Sequence, residues 1–354
     1  RISCRVCEGG KEVGSRKAIL YLDVLNVLAC ICVVGMHCNG IVHNFDGSSA
    51  WVQSMVVETL SYWAVPVFFM LSGATMMNYR ERYSTGDFFK RRILRVGIPF
   101  IFWTLFMAAV KYGKGDIVWI GFRDFAQRLL NMQIENVYWF FAPLFMVYLS
   151  MPVLSRLAEY KKTLWYMVLA GITTYSLLPF LCNVLRIAWN PSLQFPMTAG
   201  YILYAVLGYL LHGTEIPKKY RIGIYVLGIL GVVVRYGHTV WASFADGALN
   251  RLTWGYLNWP DVVFSVAMFV FIKYLVKRLS LETTRWKGVM RFLASASFGI
   301  YLIHIFIMNT IVRNFEIHTS DLWWRCVGAF LIYGITLLLV KGIQKIPGGK
   351  YIVP

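Results

Sequence analysis

From Ala18 to Cys38 the chain runs 21 residues with no Lys or Arg and a single acid, Asp23. An apolar stretch of that length spans the roughly 30 Å hydrocarbon core of a bilayer as a helix. Lipid offers no partner for backbone N–H and C=O groups, so the segment must satisfy them internally. The same pattern recurs along the chain, near 57–77, 93–112, 136–154, 163–182, 197–212, 221–240, 257–276, 291–312 and 324–342, which makes ten blocks in all. Apolar residues are 58% of the 354 and charged residues only 15%, a balance outside the range of soluble globular proteins. The fold class these blocks predict is all-α: a polytopic membrane bundle of about ten transmembrane helices.

Charge placement orients the bundle. With the N-terminus in the cytoplasm, the inner segments hold 26 of the 35 Lys and Arg residues, and the segment 39–56 holds none. Short cytoplasmic loops collect Lys and Arg, so both termini are expected inside and 39–56 outside. The net charge of +18 then lies mainly in loops that face anionic lipid. No platform of stacked aromatic and basic residues lies outside the apolar blocks, which argues against a nucleic-acid partner. Residues 1–17 read as a polar cytoplasmic tail without the apolar core of a signal peptide, 18–342 as one transmembrane domain, and 343–354 as a second cytoplasmic tail. Cys4 and Cys7 form a CxxC with no second pair or nearby His to complete a zinc site, so no metal is expected. Cys30, Cys32, Cys38, Cys182 and Cys326 fall in or beside apolar blocks, where free Cys behaves as a small hydrophobe.

Four stretches carry polar chemistry against this background. In residues 21–39, Asp23, Asn26 and His37 are 11 and 14 residues apart, close to whole helical turns, and share one face. An ionisable ring within a membrane span has a task or a partner, and His37 is the candidate catalytic residue. A structural stripe hydrogen-bonded to neighbouring helices gives the same pattern. In residues 64–73, Pro66 removes a backbone hydrogen bond, and Ser72 with Gly73 lets another backbone come close, so a bend or tight crossing is expected. Glu58 and Ser61, one turn apart, are placed to face the same outer cavity as His37. In residues 87–100, Arg92 and Arg95, with Arg91 beside them, stand at the cytoplasmic boundary, where paired guanidinium groups suit a phosphate or pyrophosphate. A solvated positive-inside cluster is the plainer alternative. In residues 295–308, Tyr301 and His304 are one turn apart in the ninth span, either satisfying each other or walling a tunnel.

Taken in order, these motifs resemble the membrane-bound acyltransferase-3 family, and within it the surface-polysaccharide O-acyltransferases. The resemblance is carried by LDVL followed by His37, VPVFFMLSG at 65–73, RxxR from Arg92 to Arg95 with Pro99 after it, YWFF at 138–141 (which includes Trp139) with Pro152 closing that helix, and SFGIYLIH at 297–304. It covers nearly the whole chain. It implies ten core helices and transfer of an acyl group, commonly acetyl, from cytoplasmic acyl-coenzyme A to a hydroxyl of a surface polysaccharide or glycolipid on the outer side of a bacterial plasma membrane. His37 matches the family's essential histidine, and Arg92 and Arg95 its donor-binding arginines. Asp23, Asn26, Ser72, Trp139, Tyr301 and His304 are expected in supporting positions, and a homo-oligomer is compatible with the pattern.

The implied chemistry needs few groups. A neutral imidazole can remove the proton of an acceptor hydroxyl as it attacks the thioester, or can take the acyl group itself. Glu58 is the better candidate to orient the ring, because Asp23 lies about 21 Å from His37 along the helix axis. The chain departs from the family where an arginine is commonly found eleven residues before the histidine, here Asn26, and where one is expected before the WAVP run, here Tyr62. The rival readings are a transporter or flippase, and an inactive family member serving as sensor or scaffold. Paired inverted repeats, the signature of many transporters, are not visible.

Overall fold

A computed structural model describes residues 19–118, 121–279 and 284–354; the tail at 1–17, with Cys4 and Cys7, lies outside them. Among the described residues all the regular structure is helical. Helix α1 (Leu20–Cys38) leads through a short loop to α2 (Ser49–Ser61), which continues after a break at Tyr62 and Trp63 into α3 (Ala64–Met76). Then come α4 (Thr85–Arg92), α5 (Ile98–Gly113), the short α6 (Phe122–Leu130), α7 (Phe141–Leu157), α8 (Lys161–Gly171), α9 (Leu178–Val184), α10 (Ile202–Gly213), α11 (Lys218–Asp246), α12 (Trp259–Arg278), α13 (Thr284–Ala294), α14 (Ser297–Asn314) and α15 (Leu322–Ile343).

Eight helices or helix runs among the described residues are long and apolar enough to cross a membrane. The pair α13 and α14, joined at a 50° bend, is long and apolar enough to cross if it acts as one span, and the short apolar α10 occupies the remaining expected position. The chain is a polytopic all-α membrane bundle. The second span begins at Ser49 rather than near residue 57, because Ser48 caps it: its Oγ accepts a hydrogen bond from the Trp51 backbone at 3.1 Å. The buried Trp51 indole then donates to the Val42 carbonyl at 3.1 Å and ties the α1–α2 loop down.

Helix α1 is the axis of the bundle and packs against α2, α3, α12, α13, α14 and α15. The tightest crossing joins α3 to α10. A methyl group added at Gly73 would lie 1.7 Å from the Ala205 carbonyl oxygen, and one at Gly208 would lie 2.0 Å from that of Met70. Ser72 and Gly73 thus mark the close approach that the sequence predicts, as small residues do wherever membrane helices touch backbone to backbone. Two π-helical turns, Ile93–Gly97 and Ile172–Leu177, each precede a proline, Pro99 and Pro179. A proline ring clashes with the carbonyl one turn back, and a widened turn makes room for it.

The residues after α15, expected as a tail, fold against the bundle. Val353 is buried, its carbonyl accepts from Gln344 Nε2 at 3.1 Å, and the Ile352 carbonyl accepts from the Trp103 indole at 2.8 Å.

Candidate active site

A single cavity of about 1240 Å³ runs through the middle of the bundle. Along α1 it is lined from Ile19 to His37, which is 19 residues, or 18 rises and roughly 27 Å of helix. That is most of the thickness of a bilayer core. Helices α2 and α3 run antiparallel to α1 and line it from Glu58 to Met76. One end is therefore formed by the start of α1, the end of α3 and the C-terminal segment, and the other by the end of α1, the last turn of α2 and the loop before α12.

The first end is basic. Arg92, Arg95, Arg291 and Lys350 all reach it. The π turn Ile93–Gly97 lies between the α4 and α5 helices, and both arginines of the RxxR pair line the cavity across it. Arg92 is braced rather than neutralised: its guanidinium lies 5.7 Å from the ring centre of Tyr148 and 5.8 Å from that of Phe88, and Nη1 reaches the Met76 sulfur at 3.4 Å. Its Nε is buried with no acceptor among the described residues, and no carboxylate of a described residue pairs with Arg92 or Arg95. Arg91 points elsewhere, its guanidinium 4.9 Å over the Tyr83 ring and away from the cavity lining. Arg91 and Arg92 are adjacent and point about 100° apart around the helix, and of the two only Arg92 shares the cavity wall with Arg95.

The second end is aromatic and carries the histidines and an acid. His37 lines the cavity and makes no hydrogen bond to a described side chain or carbonyl. His304 stands behind it, fully buried, with the two ring centres 5.2 Å apart. His304 Nδ1 donates to the Tyr301 carbonyl at 2.8 Å and lies 3.1 Å from that of Ile300, which leaves a bare, buried Nε2 with no partner among the described residues. Tyr301 lines the cavity and donates its hydroxyl to the Val137 carbonyl, so the Tyr301–His304 pair is held by backbone rather than by each other. Glu58 lines the same end at 3% exposure, with one carboxylate oxygen lacking a partner among the described residues. Ser61, one turn on, is buried off the cavity. His43, from the loop after α1, also lines it; burial, and after that the nearby charge of Arg251, lower its pKa from the ordinary value, which keeps the ring neutral at pH 7.

Asn26 and Ser72 lie between the ends, and Asp23, in the first turn of α1, lies at the basic end. The face shared by Asp23, Asn26 and His37 is thus the cavity face. Ser72 Oγ donates back to the Phe68 carbonyl at 3.0 Å and adds no free polar group. The stretch between the ends is lined mainly by apolar side chains, among them Leu22, Val33, Val65, Phe68 and Leu71.

The position of Tyr62 shows what the apolar blocks concealed. Its ring is clamped between the Arg235 guanidinium, 3.5 Å from the ring centre, and Tyr256, stacked at 4.0 Å and 12°. Trp139 continues the stack against Tyr256 at 5.6 Å and 18°, and is 37% exposed on the cavity wall. Arg235 is anchored by Asp261 at 2.7 Å and by the Thr253 carbonyl at 2.9 Å. A cation therefore stands next to residue 62 after all, but it comes from α11. The signal was in the sequence: Arg235 and Asp261 are charges well inside apolar blocks, and such residues pair. His43, Trp254, Tyr256, Arg291 and Lys350 lie in loops or at helix ends, where periodicity is silent.

The acyltransferase domain family model of the acyltransferase-3 type matches residues 19–341. The chain belongs to the acyltransferase-3 family. No curated protein and no solved structure matches this acyltransferase. The matched region contains α1 through nearly all of α15, so the cavity with its basic and aromatic ends belongs to the family domain except where the segment after residue 341 closes it. Membership makes the protein a membrane acyltransferase, which requires a donor and an acceptor substrate.

Proposed function

We propose that this acyltransferase takes an acyl group, acetyl in the simplest case, from acyl-coenzyme A on the cytoplasmic side and transfers it to a hydroxyl of a surface polysaccharide or glycolipid on the outer side of a bacterial plasma membrane. The observation that carries the reading is that one cavity joins two unpaired arginines to a histidine across most of a bilayer's depth. Coenzyme A has a charged nucleotide and a thin pantetheine arm. Arg92 and Arg95 hold the phosphates with planar forks of donors, Arg291 and Lys350 add charge, and the arm lies along Asn26 and the apolar wall.

At the aromatic end the thioester meets the acceptor. His37, as a neutral base, takes the hydroxyl proton while the oxygen attacks the carbonyl carbon. A C–O bond forms, the C–S bond breaks, and the proton passes to the departing thiolate. If the imidazole attacks first, an acyl-histidine precedes the same ester. Glu58, at the same end of the cavity, makes no hydrogen bond to His37, and its unpartnered carboxylate oxygen is available to orient the acceptor. The stacked ring of Trp139 and the neutral His43 offer an apolar face and a hydrogen-bonding edge, which is the surface a sugar ring presents in complement.

Purified protein in lipid nanodiscs, supplied with acetyl-coenzyme A and a membrane glycan extract, is expected to release free thiol and to place labelled acetyl on the glycan fraction. Binding without either product would favour a transporter or sensor and overturn the reading.

A further inference from the structure

A second groove lies apart from the acyltransfer cavity and shares no residue with it. It is an open space of about 810 Å³ between the first turns of α11 and the last turns of α12. The helices touch closely further along, where a methyl added at Gly228 would lie 2.4 Å from the Ala267 side chain and one at Gly231 would lie 2.5 Å from the Pro260 carbonyl. Towards the other end Tyr225, Phe271 and Tyr274 stand between them, and the pair opens.

The groove has two kinds of wall. Ile222, Tyr225, Phe271 and Leu275 form an apolar slot that runs into the membrane-spanning part of both helices, and Lys218, Arg221, Lys277 and Arg278 ring its mouth. Glu215 is the one acid in this lining, and it is already engaged, with the Tyr274 hydroxyl at 3.1 Å and Lys277 at 3.4 Å. Lys218, Arg221 and Arg278 have no acidic partner among the described residues, so the mouth carries an uncompensated positive charge. Arg221 is held flat, 4.0 Å over the Tyr274 ring, and its Nε is buried without an acceptor. That guanidinium is fixed in place with its donors unfilled.

We propose that this groove binds an anionic phospholipid, with the phosphate on Arg221 and its neighbouring cations and an acyl chain along the apolar slot. A free phosphate would use the mouth and leave the slot empty. A zwitterionic headgroup would bring its own ammonium into an excess of cations. A phospholipid with net negative charge, such as phosphatidylglycerol or cardiolipin, satisfies both walls, and each Lys or Arg near a membrane surface adds attraction for such lipid. The ligand would brace α11, whose outward face is otherwise exposed apolar surface at Ile222, Val226, Ile229 and Val233.

The test is native mass spectrometry of the full chain in detergent, with equal amounts of phosphatidylglycerol or phosphatidylcholine added, alongside thermal unfolding under the same conditions. Wild type is expected to retain phosphatidylglycerol in preference to phosphatidylcholine and to unfold at higher temperature with it. Inorganic phosphate is expected to give no such shift. Arg221→Gln and the exposed-site variant Lys218→Gln should each weaken phosphatidylglycerol retention about five-fold, while Lys161→Gln/Lys162→Gln, at the start of α8, should leave it unchanged. Equal retention of both lipids, equal loss in the α8 variant, or stabilisation by phosphate alone would overturn the proposal. Lysine at position 221 keeps the charge without the flat fork, so Arg221→Lys, if folded, should fall between wild type and Arg221→Gln.

Discussion

At the scale of single residues, His37 and His304 differ in what their nitrogens already do. His304 has spent Nδ1 on main-chain carbonyls and is fully buried, whereas His37 faces the cavity with its ring uncommitted to any described residue. His37→Ala is therefore expected to lower transfer by about 10²–10⁴-fold, the range for loss of a general base, with little change in coenzyme A affinity, because the proposed nucleotide site is at the basic end. His304→Ala should reduce activity less. Stopped-turnover rates alongside equilibrium binding of coenzyme A check both; near-normal transfer in the His37 variant and loss in the His304 variant would move the centre to α14. At the other end, Arg92→Ala and Arg95→Ala should each weaken donor binding by about ten- to a hundred-fold, since a hydrogen bond to a charged group contributes about 1.5–3 kcal/mol. Lys should substitute poorly, and wild-type affinity should fall with added salt. Unchanged affinity in the folded double variant would return these arginines to the role of a solvated cluster. Arg91, stacked on Tyr83, is the internal control: Arg91→Ala should leave donor affinity near wild type.

At the scale of elements, the aromatic wall of Tyr62, Trp254 and Tyr256 depends on how α11 and α12 are locked to the end of α2. The lock is the Arg235–Asp261 pair, with side chains 2% and 1% exposed, and the ring of Tyr62 beneath the guanidinium. Removing one member of a buried pair strands the other charge, at a cost of about 3–5 kcal/mol. Arg235→Met should lower the unfolding temperature in detergent accordingly. Arg235→Met/Asp261→Leu should recover much of the loss, since replacing both charges with apolar groups leaves nothing stranded. If the single variant is as stable as wild type, the pair does not hold the wall. The crossing of α3 and α10 shows the opposite economy of parts: Gly73 and Gly208 contribute by having no side chain, and the backbone contact they allow sets how close α3, which lines the cavity, stands to its neighbour. The π turn at Ile93–Gly97 lies between Arg92 and the rest of the third span; widened turns of this kind recur at functional sites, and here it seats two arginines on one wall.

At the scale of the whole molecule, orientation follows from charge. The segment 39–56 has neither Lys nor Arg, and the basic end of the cavity gathers Arg92, Arg95, Arg291 and Lys350. Under the positive-inside rule the basic end is expected to face the cytoplasm. In an otherwise cysteine-free background, Ser48→Cys is expected to label with a membrane-impermeant reagent from outside intact cells; labelling only after the membrane is broken would invert the bundle. Much of this architecture was legible in the sequence because a bilayer reduces the problem to one dimension: a span is a run of apolar residues, and every expected block coincides with a helix or a bent pair of helices. The cavity-facing set of Asp23, Asn26 and His37 was legible for a related reason, since residues at whole turns of one helix share a face in any fold. Periodicity acts within a single element and cannot say which element it meets. Only the packing of helices decided that Arg235, 173 positions further along the chain, stands over Tyr62, that His304 backs His37, and that Lys350 from the C-terminal segment joins Arg92 at the cavity's mouth. Those juxtapositions arise from side-chain shape, close backbone crossings and the pairing of buried charges, all of which are interactions between segments that no local pattern encodes.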